Sequence, residues 1–227
     1  MINEKLCELY AQYYGIDYKS KIVLCGVVDE EAYLNSKPRI VIVLKEPHSD
    51  DVGWSIPDKL KEQLDKGAIA PKFRYTWNQT GIWAYALHHG FKSYKELNQP
   101  QIILDGISSV GMTNLKKTGG GASAIPNQIR DCAKTDLNLW RQELEIMDPE
   151  LIICGRTYTN VRSNLGLGWN SLLAVVGKTY HYSLWEVNGH NTVVLEFRHP
   201  AGRKNRDETL ELLRKLMNRL KEIGTVT

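Results

Sequence analysis

Two segments that could do chemistry each come directly after a β-type apolar run. Ile40-Val41-Ile42-Val43-Leu44 leads into Lys45-Glu46-Pro47-His48, and Thr192-Val193-Val194-Leu195-Glu196-Phe197 leads into Arg198-His199-Pro200. In an open parallel sheet, the residues just past the carboxyl end of a strand face the ligand crevice. Glu46 and His199, far apart in sequence, are therefore predicted to meet at one site. A carboxylate can hold a water or offset positive charge, and a histidine can donate to an atom on which negative charge develops. Two more strand-like runs would deliver Asn114-Leu115-Lys116-Lys117 and Gly155-Arg156-Thr157 to the same edge. Together these loops supply a carboxylate, an amide, two histidines and several cations, an inventory suited to hydrolysis of a bond in an anionic substrate.

The elements that must position these loops can be read from periodicity. Helical spacing runs from Asn3 through Leu6, Leu9, Tyr10 and Tyr13 to Gly15, and again from Pro57 to Lys66 before Gly67. Ile22-Val23-Leu24-Cys25 is a short apolar run, and Ile82, Trp83, Ala86 and Leu87 mark a helix that ends at Gly90. Residues 107–113 read as a strand, 127–147 as one long helix stopping before Pro149, and 151–154 as a buried strand followed by a helix after Thr157. Asn188-Gly189 between two alternating runs predicts a type I′ hairpin, and the chain from Asn205 onward is an amphipathic helix. The expected architecture is one domain over residues 1–227, a three-layer α/β/α sandwich with a mostly parallel four-stranded central sheet.

Composition narrows the class without choosing a substrate. The 227 residues are 42% hydrophobic and 24% charged, ordinary for a globular chain with a sizeable core. A net charge of +3 permits an anionic partner without demanding one. The first residues carry charge and no long apolar run, so neither a signal peptide nor a membrane helix is expected, and a cytoplasmic location is. Cys7, Cys25, Cys132 and Cys154 form no Cys-x-x-Cys pair, so no disulfide and no metal cluster is expected. Asp50 and Asp51 have no further ligand at diagnostic spacing, which argues against a metal there.

The order of these motifs resembles the uracil-DNA glycosylase superfamily. That family has a strand followed by Gly-Gln-Asp-Pro-Tyr-His or Gly-Glu-Ala-Pro-Gly, and a last strand followed by His-Pro-Ser. The similar stretches here are Leu44-Lys45-Glu46-Pro47-His48 and His199-Pro200-Ala201. Met112-Thr113-Asn114-Leu115-Lys116-Lys117 is similar to the family's Thr-Asn-Val-Val-Lys segment, and the helix, Pro149, strand, Gly155 succession matches in order. Leu44 stands where the motif has glycine, Glu46 where the first version has Asp, and Ala201 where it has Ser. The resemblance spans residues 39–203 and implies a metal-independent, cofactor-free enzyme of base-excision repair, expected to act as a monomer on a base flipped out of DNA.

Breaking a nucleobase–sugar bond builds positive charge on the sugar and negative charge on the base. On that chemistry Glu46 would hold the attacking water and offset the sugar's charge, and His199 would donate to the base. The resemblance has Asn114 read the base edge, with Pro47 and His48 beside it. Lys116, Lys117, Arg198 and Arg203 are candidate phosphate contacts, helped by the Gly119–Gly121 loop and the neighbouring Lys204 and Arg206. Trp54, Phe73, Tyr75 and Trp77, read as one long loop, offer faces for stacking or anchors for packing, and His88 and His89 read as polar helix-end residues. Two other functions fit the same inventory: a non-catalytic nucleic-acid-binding protein of this fold, and a hydrolase or binder of nucleosides or nucleotides.

Overall fold

The computed structural model describes residues 1–225 except 50, 72–73, 122–123, 176 and 203–204. Among these residues ten α-helices and seven strands form an α/β fold around a single mixed sheet. The strands are β1 (Gly26–Val27), β2 (Ile40–Leu44), β3 (Val110–Asn114), β4 (Leu151–Gly155), β5 (Asn170–Val175), β6 (Lys178–Val187) and β7 (His190–Phe197). They are ordered β1-β3-β2-β4-β7-β6-β5. The sheet is thus seven-stranded and mixed rather than four-stranded. Its middle, β3-β2-β4-β7, is parallel throughout, while β1, β6 and β5 add antiparallel edges.

The parallel middle strands are apolar on both faces, as a sheet covered on both sides requires. Ile40, Ile42, Met112, Ile153 and Leu195 enter one core with α3 (Ile56–Asp65), α4 (Arg74–His89), α6 (Pro100–Ser108) and α10 (Arg206–Glu222). Val41, Val43, Ile152, Cys154 and Val194 enter the other with α1 (Ile2–Tyr14), α7 (Pro126–Thr135), α8 (Leu137–Met147) and α9 (Tyr158–Asn164). The short α2 (Glu30–Asn35) and α5 (Tyr94–Leu97) complete the set. No described helix is long and apolar enough to cross a membrane.

Several boundaries depart from the sequence reading. Ile107 and Ser108 end α6 instead of beginning β3, because Pro100 starts a helix whose Ile103, Leu104 and Ile107 share one buried face. The long helix over 127–147 is two, since Asp136 leaves helical geometry and serves as C-cap of α7 and N-cap of α8. Residues 22–25 contribute one bridge, Leu24 to Ser55, and the regular pairing shifts to β1. The hairpin turn forms as expected, with Asn188 at φ 48° and Gly189 at φ 81°.

Helices α4 and α6 cross backbone to backbone at two glycines. A Cβ built on Gly106 would lie 1.9 Å from the Gly81 carbonyl oxygen, and neither backbone has a side chain that could yield. Replacing a helical glycine by alanine ordinarily stabilises by about 1 kcal/mol. Gly106→Ala is expected to do the reverse, lowering the urea-unfolding free energy by about 1–3 kcal/mol through overpacking.

Candidate functional site

Register brings the four predicted loops to one level. Leu44 of β2 pairs with Asn114 of β3, Val43 with Cys154 of β4, and Gly155 with Phe197 of β7. The pairing of β2 with β3 continues past the strands, with Leu115 N donating to Leu44 O at 3.0 Å and Lys116 N to Lys45 O at 2.9 Å. Thr157 ties the β4 loop inward by donating its hydroxyl to Val43 O at 2.7 Å. At Gly155 a Cβ would fall 2.7 Å from Leu44 Cδ2 and 3.4 Å from Pro200 Cδ. The first motif and the His-Pro motif therefore close toward each other over Gly155, where a side chain would make the Leu44 side chain shift.

Glu46 leaves this edge with its side chain 7% exposed. Its Oε2 accepts from Lys116 Nζ at 2.7 Å, and the same amine donates to Gly119 O at 2.8 Å. Oε1 has no protein partner among the described residues. The glycine loop lies directly on the carboxylate, since a Cβ on Gly120 would sit 2.0 Å from Glu46 Cδ. Gly120 N donates to Pro47 O at 3.0 Å, and exposed His48 holds the same loop by an Nδ1 contact to Gly121 O at 3.2 Å. Pro47 is buried, so it and His48 fasten the glycine loop to the first motif.

His199 is fixed by its own turn. Its Nδ1 accepts from Ala201 N at 3.1 Å, which places the proton of the neutral ring on Nε2. Burial, followed by the positive charges of Lys45 and Arg156, lowers its pKa to about 4. The imidazole is thus a neutral N–H donor at ordinary pH. Asn114 is 2% exposed, with Nδ2 against Cys25 Sγ at 3.9 Å and Oδ1 buried without a protein partner. An acceptor left open in this way favours a ligand that brings a donor.

The expected phosphate rim is redrawn. Lys117 does not face solvent: it is 2% exposed, and its amine is bonded to Glu143 and to Thr113 Oγ1. It points to the opposite side of the chain from Lys116, into the core beside α8. Lys116 itself is 14% exposed and paired with Glu46, so it belongs to the pocket and not to the rim. Arg198 is half-buried between Tyr180 OH at 3.3 Å and Thr209 Oγ1 at 2.9 Å, locked against α10. Arg203 and Lys204 lie outside the described residues, as do Asp50 and Phe73. Arg206 is exposed and bonded to Tyr94 OH at 2.8 Å.

Two cations that the sequence reading did not select bear on His199. Lys45 precedes Glu46, and exposed Arg156 comes directly after β4 at φ 61°, a left-handed conformation uncommon for a side-chain-bearing residue. Their signal was positional, since each ends a parallel strand as Glu46 and Arg198 do. Tyr75 and Trp77 belong to α4 instead of a loop, and Tyr75 is 69% exposed. Trp54 and Trp77 pack against the core that contains α3 and α4, so both act as anchors. Trp54 also lines a cavity of about 380 Å³ together with Tyr10, Cys25, Ser55 and Lys59. Asn114 does not line this cavity, but its amide touches the thiol of Cys25, a residue that does. The four cysteines are free thiols, and among the described residues no three His, Cys, Asp or Glu side chains gather as a metal site.

No protein-family model matches the chain, and no curated protein matches it.

The buried Lys117–Glu143 pair and the His199 imidazole each give a measurable outcome. Lys117→Met leaves the fully buried Glu143 carboxylate unpaired, with Oε1 already lacking a partner, and denaturant unfolding is expected to show a loss of about 3–5 kcal/mol. Between the ordinary histidine pKa of about 6.5 and the native value of about 4, the unfolded chain binds a proton that native His199 refuses. Stability should therefore fall as pH drops through this window, and His199→Gln should flatten that part of the profile. An NMR titration in which His199 protonates near 6.5 would refute the assignment.

Proposed function

We propose that this edge is the site of a DNA N-glycosylase, which removes a flipped uracil or another deaminated or damaged base by hydrolysis. The observation that carries the reading is the pairing of functions across one row of parallel strand ends. A sequestered carboxylate lies at the end of β2, a buried amide with an open acceptor at the end of β3, and a neutral N–H donor at the end of β7. The parallel run β3-β2-β4-β7 with helices on both faces supports this reading, since the motif order implies a parallel sheet of that kind.

In this reading the sugar sits against Glu46. Oε1 orients the attacking water, and the carboxylate offsets the oxocarbenium charge as the base departs. His199 Nε2–H stabilises the oxygen of the leaving base by a hydrogen bond, without needing to give up its proton. Asn114 Oδ1 accepts from a ring N–H of the base, a group that uracil and hypoxanthine both carry. Lys45 and Arg156 lend positive potential to the same side as the leaving group. The glycine loop covers Glu46, so substrate entry requires Gly119–Gly121 to lift from the carboxylate.

The reading of a binding module without chemistry draws on that same covered, cation-paired Glu46. Labelled single- and double-stranded oligonucleotides carrying uracil, hypoxanthine or xanthine, treated with alkali after incubation, separate the two. Strand cleavage that falls by about 10²–10⁴-fold in Glu46→Gln and by about 10²–10³-fold in His199→Ala, with DNA retention unchanged, is the expected result. Retention of DNA without cleavage for any base would establish the binding module. Cleavage of free nucleosides but not oligonucleotides would make the protein a nucleoside hydrolase.

A further inference from the structure

We propose a second activity for the same pocket: Lys116 is the amine of an abasic-site lyase, which condenses with the sugar aldehyde that base removal leaves behind. The proposal rests on the glycosylase reading only for where the sugar lies, namely against Glu46. Lys116 Nζ is 2.7 Å from Glu46 Oε2, so a sugar carbon placed beside that carboxylate is also within reach of a primary amine. The side chain is 14% exposed, enough to be reached yet too enclosed to be a solvated rim lysine. Its remaining contact is the carbonyl of Gly119, part of the loop that must lift for substrate to enter.

The neighbouring lysines are placed differently. Lys117 is committed to Glu143 in the core, and Lys45 bears on His199 across the edge. Lysine amines form imines with carbonyl carbons when a nearby group accepts their proton. Glu46 is that group, already bonded to the ammonium.

The ring-opened form of an abasic deoxyribose carries an aldehyde at C1′. Glu46 takes a proton from the Lys116 ammonium, and the amine lone pair attacks C1′ to give a carbinolamine. Glu46 returns the proton to the departing hydroxyl, which leaves as water, and a protonated imine forms. This cation acidifies the C2′–H bond, and the freed Glu46 carboxylate removes that proton. The electron pair moves to C2′–C3′ while the C3′–O bond breaks, expelling the 3′ phosphate. One water then hydrolyses the imine, releasing an unsaturated aldehyde and restoring the lysine, so the water lost earlier is balanced and no redox partner is needed.

The test uses the full chain and a DNA duplex with a preformed abasic site, so that base removal is not required. With sodium borohydride present, a denaturant-resistant protein–DNA adduct is expected, with the modified peptide carrying Lys116. Without borohydride, the strand is expected to break 3′ to the abasic site and leave an unsaturated aldehyde terminus. Lys116→Arg keeps a cation opposite Glu46 but has no amine that forms an imine, so both products should be lost while binding of abasic DNA persists. Lys116→Gln provides the same comparison if the arginine variant does not fold. No adduct from the wild-type chain, an undiminished adduct in the variants, or mapping to another amine such as Lys45 would overturn the proposal. An adduct at Lys116 without base removal from uracil-containing DNA would uphold the lyase and sink the glycosylase; the converse would leave a glycosylase with no lyase step.

Discussion

The candidate site depends on one constraint: four parallel strands, adjacent in the sheet, end at the same level. Leu44, Asn114, Gly155 and Phe197 form a row linked by ladder pairing, and every proposed participant belongs to that row or comes just after it. Parallel register with buried faces is stiff, because a slip of one residue would turn Ile40, Ile42 and Ile153 out of one core and into the other. The site residues lie at or within two residues of their strand ends, so this stiffness passes to their side chains. Glu46 is two residues from its strand end and His199 is two residues from its own. A site built from such positions needs little further ordering on binding.

Directly beneath the row lies a buried polar network. Glu143 of α8 bonds to Lys117 and Thr113, Lys117 reaches the Cys25 thiol, and that thiol touches Asn114. Tyr10 of α1 joins it, bonded to the backbone of Cys25, with its hydroxyl pKa pushed well up by burial and the charge of Glu143. The end of β3 is thereby tied to α1 and α8 at the depth of the proposed base reader. Asn114 takes only a weak thiol contact from the network. Its Oδ1 is left open, which suits a group held in place for recognition more than one spent on holding the fold.

The sequence was legible where the pattern was local and strongly periodic. Strands β2, β4 and β7, the Asn188-Gly189 hairpin and the terminal helix emerge from alternation, β-branched runs and turn chemistry. Strand β5 was not legible, because Asn170–Val175 is half exposed at a sheet edge and carries little periodic signal. The start of β3 was misplaced because Ile107 is apolar in either reading, and only packing against α4 settles it as helix. At the site, chain position identified Glu46 and His199, but it could not tell Lys116 from Lys117. Successive residues after a strand point to opposite sides, so one lysine enters the pocket and its neighbour enters the core. Arg198 looked like a rim cation for the same reason, and only the position of α10 shows it to be locked.

The electrostatics of the row are set by these placements. Burial first, and then the positive charges of Lys45 and Arg156, keep the His199 imidazole neutral. In the proposed reaction the same two charges would attract electrons that move onto a leaving group held by Nε2–H. A neutral donor backed by fixed positive charge stabilises an anion without transferring a proton to it, which is what the proposed departure of an anionic base would need. At Glu46 the logic is reversed, since Lys116 keeps the carboxylate paired while the sugar is absent. In the proposed reaction the glycine loop would lift and a cationic sugar centre would form against Oε1, so that the carboxylate is shared between two positive partners. Lys116 has to keep its proton at that moment, because the acceptor bonded to it is Glu46 Oε2 and a proton passed there would cancel the charge that faces the sugar. On the two proposals together, the lysine can release its proton only afterwards, when the sugar has become a neutral aldehyde and Glu46 no longer faces a cation.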